Sequence, residues 1–346
     1  MTEQLTEEHR GLRDAVRTLL AKRSDSAAVR RAVEEPDGFD TELWRVLCEQ
    51  IGVAALAVPE TFDGLGVGLR EVQLVMTELG RTLTPSPMLG SVLAAALLGA
   101  LDDDASRRLL PRIAAGAIAA VAWADEHGRW ADGAARFTDG RLRGEAHFVL
   151  DGDLADILLV VADGAVYEVQ PADAVRTHTP TMDRTRRLAR VRLDDVPAVR
   201  VGPRDAAPAL AGARDAALVA LAGEKVGAAT AALELTVEYT KVRYQFGRPI
   251  GSFQALKHRM ADLHVRLEAA RSAAYSAAAG ELLPAAAKVY CSEAFQAIAA
   301  EMIQLHGGIA ITWEHDAHLY FKRAHGAAAL FGSPGEHLRR LGEEVL

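Results

Sequence analysis

The sequence predicts a mostly α-helical α+β chain in three parts, and three observations predict it. Apolar residues step by three and four through the first third and again through the last, which is the period of a helix face. Between them, two Asp-Gly pairs sit inside β-prone runs. The expected order is an N-terminal helical domain over 1–115, an antiparallel β-domain over 116–204 and a C-terminal four-helix bundle over 205–346.

In the first part, Leu5, Arg10 to Leu12, Val16, Leu19 and Leu20 lay an apolar stripe along one helix face. "TELWRVLCEQIGVAAL" opens another helix, with Thr41 as its expected N-cap. "VPETFDGLGVG" breaks the pattern with Pro59, Gly64, Gly66 and Gly68 before "LREVQLVMTELGRTL" resumes it. In the second part, "RFTDGRLRG" and "DILLVVADGAVYEVQ" predict hairpins, because a type I′ turn needs positive φ at both central residues. "RLARVRLDDVPAVRVG" is expected to be one strand leading out of the sheet. In the third part a helix is expected over 214–242. Ser252 is placed as the N-cap of the next, whose seam runs through Phe253, Leu256, Met260, Leu263, Leu267, Ala270, Ala274 and Ala277 to a terminating Gly280. A further helix over 285–305 ends at "LHGG".

Composition narrows the function. The 346 residues carry a net charge of -8 and no basic block, which argues against a nucleic-acid or anionic-membrane partner. Cys48 and Cys291 build neither a disulfide framework nor a zinc pattern, in keeping with a reducing cytoplasm. The charged start is unlike a signal or transit peptide, and no uninterrupted apolar run reaches the roughly 18 to 20 residues of a membrane span. A soluble, cytoplasmic protein is expected.

The stretch "VRYQFGRPIGSFQALKHRMADL", with "QLHGG" further on, resembles the acyl-CoA dehydrogenase family. The likeness extends over the chain, through "VPETFDGLGVGLREV" in the first part and "DDVPAVRVG" at the exit from the second. It implies that family's fold and cofactor, FAD at a subunit interface. There the flavin ring is held mainly by one subunit's β-domain and cleft, and the ADP end by the neighbour's bundle. Carried over residue by residue, the clasp falls on Arg243, Gln245, Phe246, Gln254, Gln304, Gly307 and Gly308. The chemistry agrees. A guanidinium binds pyrophosphate through a rigid fork, carboxamides both donate and accept, and a bare backbone lets a ligand approach closely. Singly, each has a plainer explanation, since cations favour helix C-termini and glycines end helices.

The implied reaction is α,β-desaturation of an acyl-CoA thioester. A carboxylate removes the α-proton while hydride leaves the β-carbon for the flavin. In most of the family the base is the glutamate of I-Y-E-G-T, and here "LFGSPGEH" puts Gly332 in its place. In others it stands 26 residues before the clasp arginine, which is Ala217. Three nearby carboxylates, Asp215, Glu224 and Glu336, are expected to be solvated helix-surface groups. The family's T-E-P-x-A-G-S-D loop becomes "ADEHGRWADGA", with Glu126 and Gly128 retained but Asp125 and His127 replacing Thr and Pro. Its W-I-T run becomes Phe148, Val149 and Leu150, which loses the hydroxyl toward the flavin. Trp123 and Trp130 are expected to pack rather than to bind.

A kept ADP clasp beside a degraded catalytic half resembles the short, glutamate-lacking subunit of actinobacterial heterotetrameric acyl-CoA dehydrogenases, best known from steroid side-chain degradation. The resemblance implies a glutamate-bearing partner subunit, an acyl-CoA substrate, an electron-transfer acceptor and two flavins per α2β2 assembly. Two other readings stay open. One is a self-sufficient flavoenzyme with Asp125, His127 or Glu336 as a displaced base. The other is a flavin-free scaffold that binds acyl-CoA or protein.

Overall fold

The computed structural model describes residues 5–130 and 133–345. The Ala131–Asp132 part of the "ADEHGRWADGA" loop lies outside the described residues. Six helices come first: α1 Glu7–Arg23, α2 Ser26–Ala32, α3 Thr41–Val46, α4 Leu69–Arg81, α5 Met88–Leu101 and α6 Asp104–Ala114. Thr6 caps α1 by accepting the His9 N–H, and Val16 and Leu20 of the predicted stripe are buried. The cap of α3 is Asp40, not Thr41, because the Asp40 carboxylate accepts the Leu43 N–H at 2.8 Å and leaves Thr41 as the first helical residue.

Eight strands follow: β1 Ala119–Ala122, β2 Ala135–Thr138, β3 Arg141–Leu150, β4 Ile157–Ala162, β5 Ala165–Val169, β6 Val175–His178, β7 Leu188–Pro197 and β8 Val199–Val201. Both predicted hairpins form. Asp139 and Gly140 join β2 to β3, Asp163 and Gly164 join β4 to β5, and all four residues have φ between 49° and 79°. The sheet is mixed rather than antiparallel, since β1 and β2 both run parallel to β4. The expected exit strand is two strands. β7 pairs with β3 and β6, while β8 crosses to pair with β5.

The last part holds α7 Ala207–Val242, a two-residue hairpin of β9 Tyr244–Gln245 and β10 Arg248–Pro249, then α8 Gln254–Ala278, α9 Pro284–His306, α10 Ala317–Ala329 and α11 Pro334–Val345. α7 begins seven residues before the expected 214. By length and composition it could cross a membrane, although Glu224 and Lys225 interrupt its apolar run. Its most apolar 18-residue window is wholly buried in the bundle. Ser252 does not cap α8; its hydroxyl donates to the Pro249 carbonyl, and Phe253 precedes the helix with no side-chain cap. The seam from Leu263 to Ala277 is buried, whereas Phe253, Leu256 and Met260 are only half-buried. Gly280 ends α8 as predicted: its N–H reaches the Ala277 carbonyl at 3.1 Å and the Glu281 N–H reaches Ser276 at 2.8 Å.

α7 is the axis of the molecule, packed by α4, α5, α8 and α9. Its crossing with α4 is a backbone contact. A Cβ on Gly227 would lie 1.9 Å from the Thr77 carbonyl oxygen, and one on Gly80 would lie 2.1 Å from that of Glu224.

Candidate functional site

The clasp residues assemble at one end of the bundle. α7 stops at Arg243, whose extended backbone, with φ -80° and ψ 118°, turns the chain into the β9–β10 hairpin. Phe246 and Gly247, with φ of 55° and 77°, form the turn of that hairpin. This holds the Phe246 ring 92 % exposed, in edge contact with Phe253 at 6.2 Å. The Arg248 guanidinium covers the Phe253 ring at 4.0 Å. Gln245 is exposed on the hairpin, and Gln254 is exposed as the first residue of α8.

The second motif joins the first through stacking. Tyr239, one turn before Arg243, lies 4.2 Å from the His306 ring and donates its hydroxyl to the His306 carbonyl at 3.3 Å. His315 packs against the same pair, 4.4 Å from the His306 ring and 6.3 Å from that of Tyr239. The ends of α7 and α9 are thereby pinned together, and exposed Gln304, Gly307 and Gly308 sit beside the Arg243 corner. Gly307 closes α9 with φ 64°, and nothing lies within 4 Å of a Cβ built on Gly308. Among the described residues, the side chains of Arg243, Gln245, Gln254 and Gln304 make no hydrogen bond or ion pair within the chain. A guanidinium and three carboxamides left facing solvent at one corner, beside open backbone, fit the phosphates and sugar hydroxyls of a dinucleotide such as FAD.

Both base positions lack an acid, Ala217 closed off in the core and Gly332 half-buried. Ala217 is fully buried in α7, within the same core cluster as Leu330 and Phe331. Gly332 has φ 98°, and a Cβ there would meet His337 Nε2 at 3.2 Å. Its carbonyl accepts from the Lys288 ammonium, which also donates to the Ala328 carbonyl at 2.8 Å. Burial lowers the Lys288 pKa to about 8, while the Glu336 charge works the other way.

Among the described residues, the nearby carboxylates are each engaged by other groups. Glu336 is exposed, but it accepts the Ser333 N–H at 2.6 Å and hydroxyl at 2.8 Å, which holds its pKa below the usual value. Asp125 feels burial as an upward push, yet hydrogen bonds from Arg129 and the His127 N–H win and lower its pKa. Asp215 is half-buried rather than solvated. Glu224, expected on a solvated surface, is 4 % exposed and corrected here to an interior ion-pair member. Arg186 reaches it at 2.5 Å and Arg323 bonds it directly. Arg323 also binds Asp183 at 2.7 Å and the Thr185 hydroxyl at 2.6 Å. Burial opposes ionisation of Glu224, but the two guanidinium charges lower its pKa overall. This network ties α7, α10 and the β6–β7 loop together. The arginine-rich "DRTRR" was its only visible trace in the sequence.

In the β-domain, Phe148 protrudes at an irregularity in the β3–β7 pairing with φ 55°, while Val149 and Leu150 are buried. Leu150, which stands where the family's hydroxyl would be, is therefore core. Trp123 and Trp130 do pack, 5.2 Å apart edge-on, and Trp130 continues onto Phe331 at 4.9 Å.

A three-part helical and mixed-sheet fold with an unpaired polar corner on its last bundle is that of an acyl-CoA oxidoreductase. Residues 6–117 match the acyl-CoA dehydrogenase N-terminal domain and residues 215–346 the acyl-CoA dehydrogenase C-terminal domain. Acyl-CoA dehydrogenase IpdE2 of Mycobacterium tuberculosis is 46 % identical over 98 % of both chains, and IpdE2 of Mycolicibacterium smegmatis is 43 % identical over 99 % of this chain and 100 % of its own. The ChsE4-ChsE5 complex from Mycobacterium tuberculosis contains a chain that superposes with a TM-score of 0.90 at 28 % identity, covering 100 % of this chain and 99 % of its own. The Tcur3481-Tcur3483 steroid acyl-CoA dehydrogenase G363A variant gives a TM-score of 0.89 at 30 % identity over 98 % of both. The chain belongs to the acyl-CoA dehydrogenase family, whose members are oxidoreductases acting on CH–CH groups.

Proposed function

We propose that this chain is the FAD-clasping, base-lacking subunit of a heteromeric acyl-CoA dehydrogenase that desaturates a steroid-derived acyl-CoA at Cα–Cβ. The observation that carries this is the coexistence of an unpaired polar corner around Arg243 with Gly332 and Ala217 at the two base positions. The assembly and the substrate class rest on the similarity to the ChsE4-ChsE5 complex and to the steroid enzyme.

Arg243 and Gln245 would hold the pyrophosphate, and Gln254 and Gln304 the remaining polar edge of the dinucleotide. The exposed Phe246 ring supplies an apolar wall. FAD, when bound, supplies hydride acceptance at the substrate β-carbon, and reducing equivalents then pass to an electron-transfer acceptor. Proton abstraction falls to the glutamate of the partner subunit, because among the described residues the carboxylates nearest the base positions are taken up by other groups. A displaced base is disfavoured on the same ground, and a flavin-free scaffold leaves the Arg243 corner without purpose.

Co-expression with the partner tests this. One flavin per pair of chains is expected from the absorbance spectrum and a mass-based subunit count, with the chain alone colourless. One flavin per chain contradicts it.

A further inference from the structure

In this chain the catalytic half-site is not an open cleft that merely lacks its acid. A base at either 217 or 332 serves only if the reacting carbon lies within hydrogen-bond reach, so the space beside both positions has to be free for substrate. Here it is filled by core around Ala217 and narrowed by His337 beside half-buried Gly332. Phe331, 2 % exposed, shares its core cluster with Ala217 and Leu330, and its ring meets Trp130 from the loop after β1, which leans in turn on Trp123.

The segment carrying Phe331 is fastened by two buried side chains. Fully buried Lys288 of α9 donates to the Ala328 and Gly332 carbonyls. His337 of α11, 2 % exposed, bonds the Phe331 carbonyl through Nε2 at 2.9 Å. Phe331 itself takes φ 59° and Gly332 takes φ 98°, a backbone path that a side chain at 332 would strain. A bulky aromatic residue held at positive φ by two buried side chains is a fixed part, not a flap.

We propose that the Trp123–Trp130–Phe331 stack, with the 328–332 turn locked by Lys288 and His337, is a plug that excludes the acyl group from this chain's own half-site and leaves the partner's as the only working one. The inference rests on the function proposed above and adds the device that enforces it. Lys288 and His337 are positioning residues. The plug predicts that restoring an acid by Gly332→Glu creates no second site.

The test is the number of decanoyl-CoA thioether molecules, a non-reacting analogue, taken up per pair of chains by the purified heteromer, read by titration calorimetry. The wild-type complex is expected to bind no more than one, and Trp130→Ala/Phe331→Ala one more than wild type. Two per pair in the wild type, or no gain in the double variant, overturns the plug. The wild-type arm stands even if the variant fails to assemble. The flavin count in the same sample separates the two ideas. One flavin with two analogues per pair sinks only the plug, whereas one flavin per chain sinks the proposed function.

Discussion

At the residue scale, buried charge makes stability depend on pH. Asp151, 5 % exposed, has its pKa raised to about 7 by burial, with Asp153 adding to the push while Arg186 and Arg187 oppose it. The folded state therefore holds this proton between about pH 4 and 7 where the unfolded chain has released it, so Asp151 subtracts stability as pH rises through that window. Asp151→Asn keeps the shape, and Asn tolerates its φ of 50°. The variant is expected to gain on the order of 3 to 4 kcal/mol over wild type at pH 8 and to lose that advantage toward pH 4, read by urea unfolding across pH. A pH-independent difference contradicts the assignment. Arg323 gives the opposite lesson. Arg323→Ala leaves Glu224 and Asp183 buried without their shared cation, and is expected to cost about 3 to 5 kcal/mol by the same measurement. Arg323→Lys is expected to recover only part, because one ammonium cannot reproduce the fork that meets Asp183, Glu224 and Thr185 together.

At the scale of elements, what the sequence disclosed follows from which interactions are local. The Asp139-Gly140 and Asp163-Gly164 turns and the Gly280 helix stop were legible because each is specified by two or three neighbouring residues. The parallel pairing of β1 and β2 with β4 was not, since it depends on partners some 27 to 38 residues away that carry no turn signal. Thr41 and Ser252 were misplaced as caps because a competing neighbour, the Asp40 carboxylate or the Pro249 carbonyl, was overlooked. Glu224 misled for a third reason. α7 is buried through most of its circumference, so it has no polar face from which a carboxylate's exposure can be inferred. The clasp was readable as a motif, but that Tyr239 and His306 stack to bring its two halves together emerged only in three dimensions. The α4–α7 crossing offers a test at this scale. Gly227→Val puts side-chain atoms where the Thr77 carbonyl stands, and is expected to cost about 3 kcal/mol or more, read as a drop in the thermal midpoint. An unchanged midpoint contradicts the close contact.

At the scale of the whole molecule, the proposed function is a division of labour between two chains. On the proposed function, this one keeps the polar Arg243 corner to hold a nucleotide for its partner, while Phe331 and Trp130 pack beside Gly332. A loss confined to one half-site is tolerated only if the other half serves a neighbour. The measurement that reaches this claim most directly is the flavin content of the purified heteromer carrying Arg243→Ala in this chain alone, with the partner untouched. The account predicts that the complex still assembles but binds FAD about tenfold or more weakly, as expected from removing charge-assisted hydrogen bonds to a pyrophosphate. A variant complex that retains FAD as tightly as wild type contradicts it.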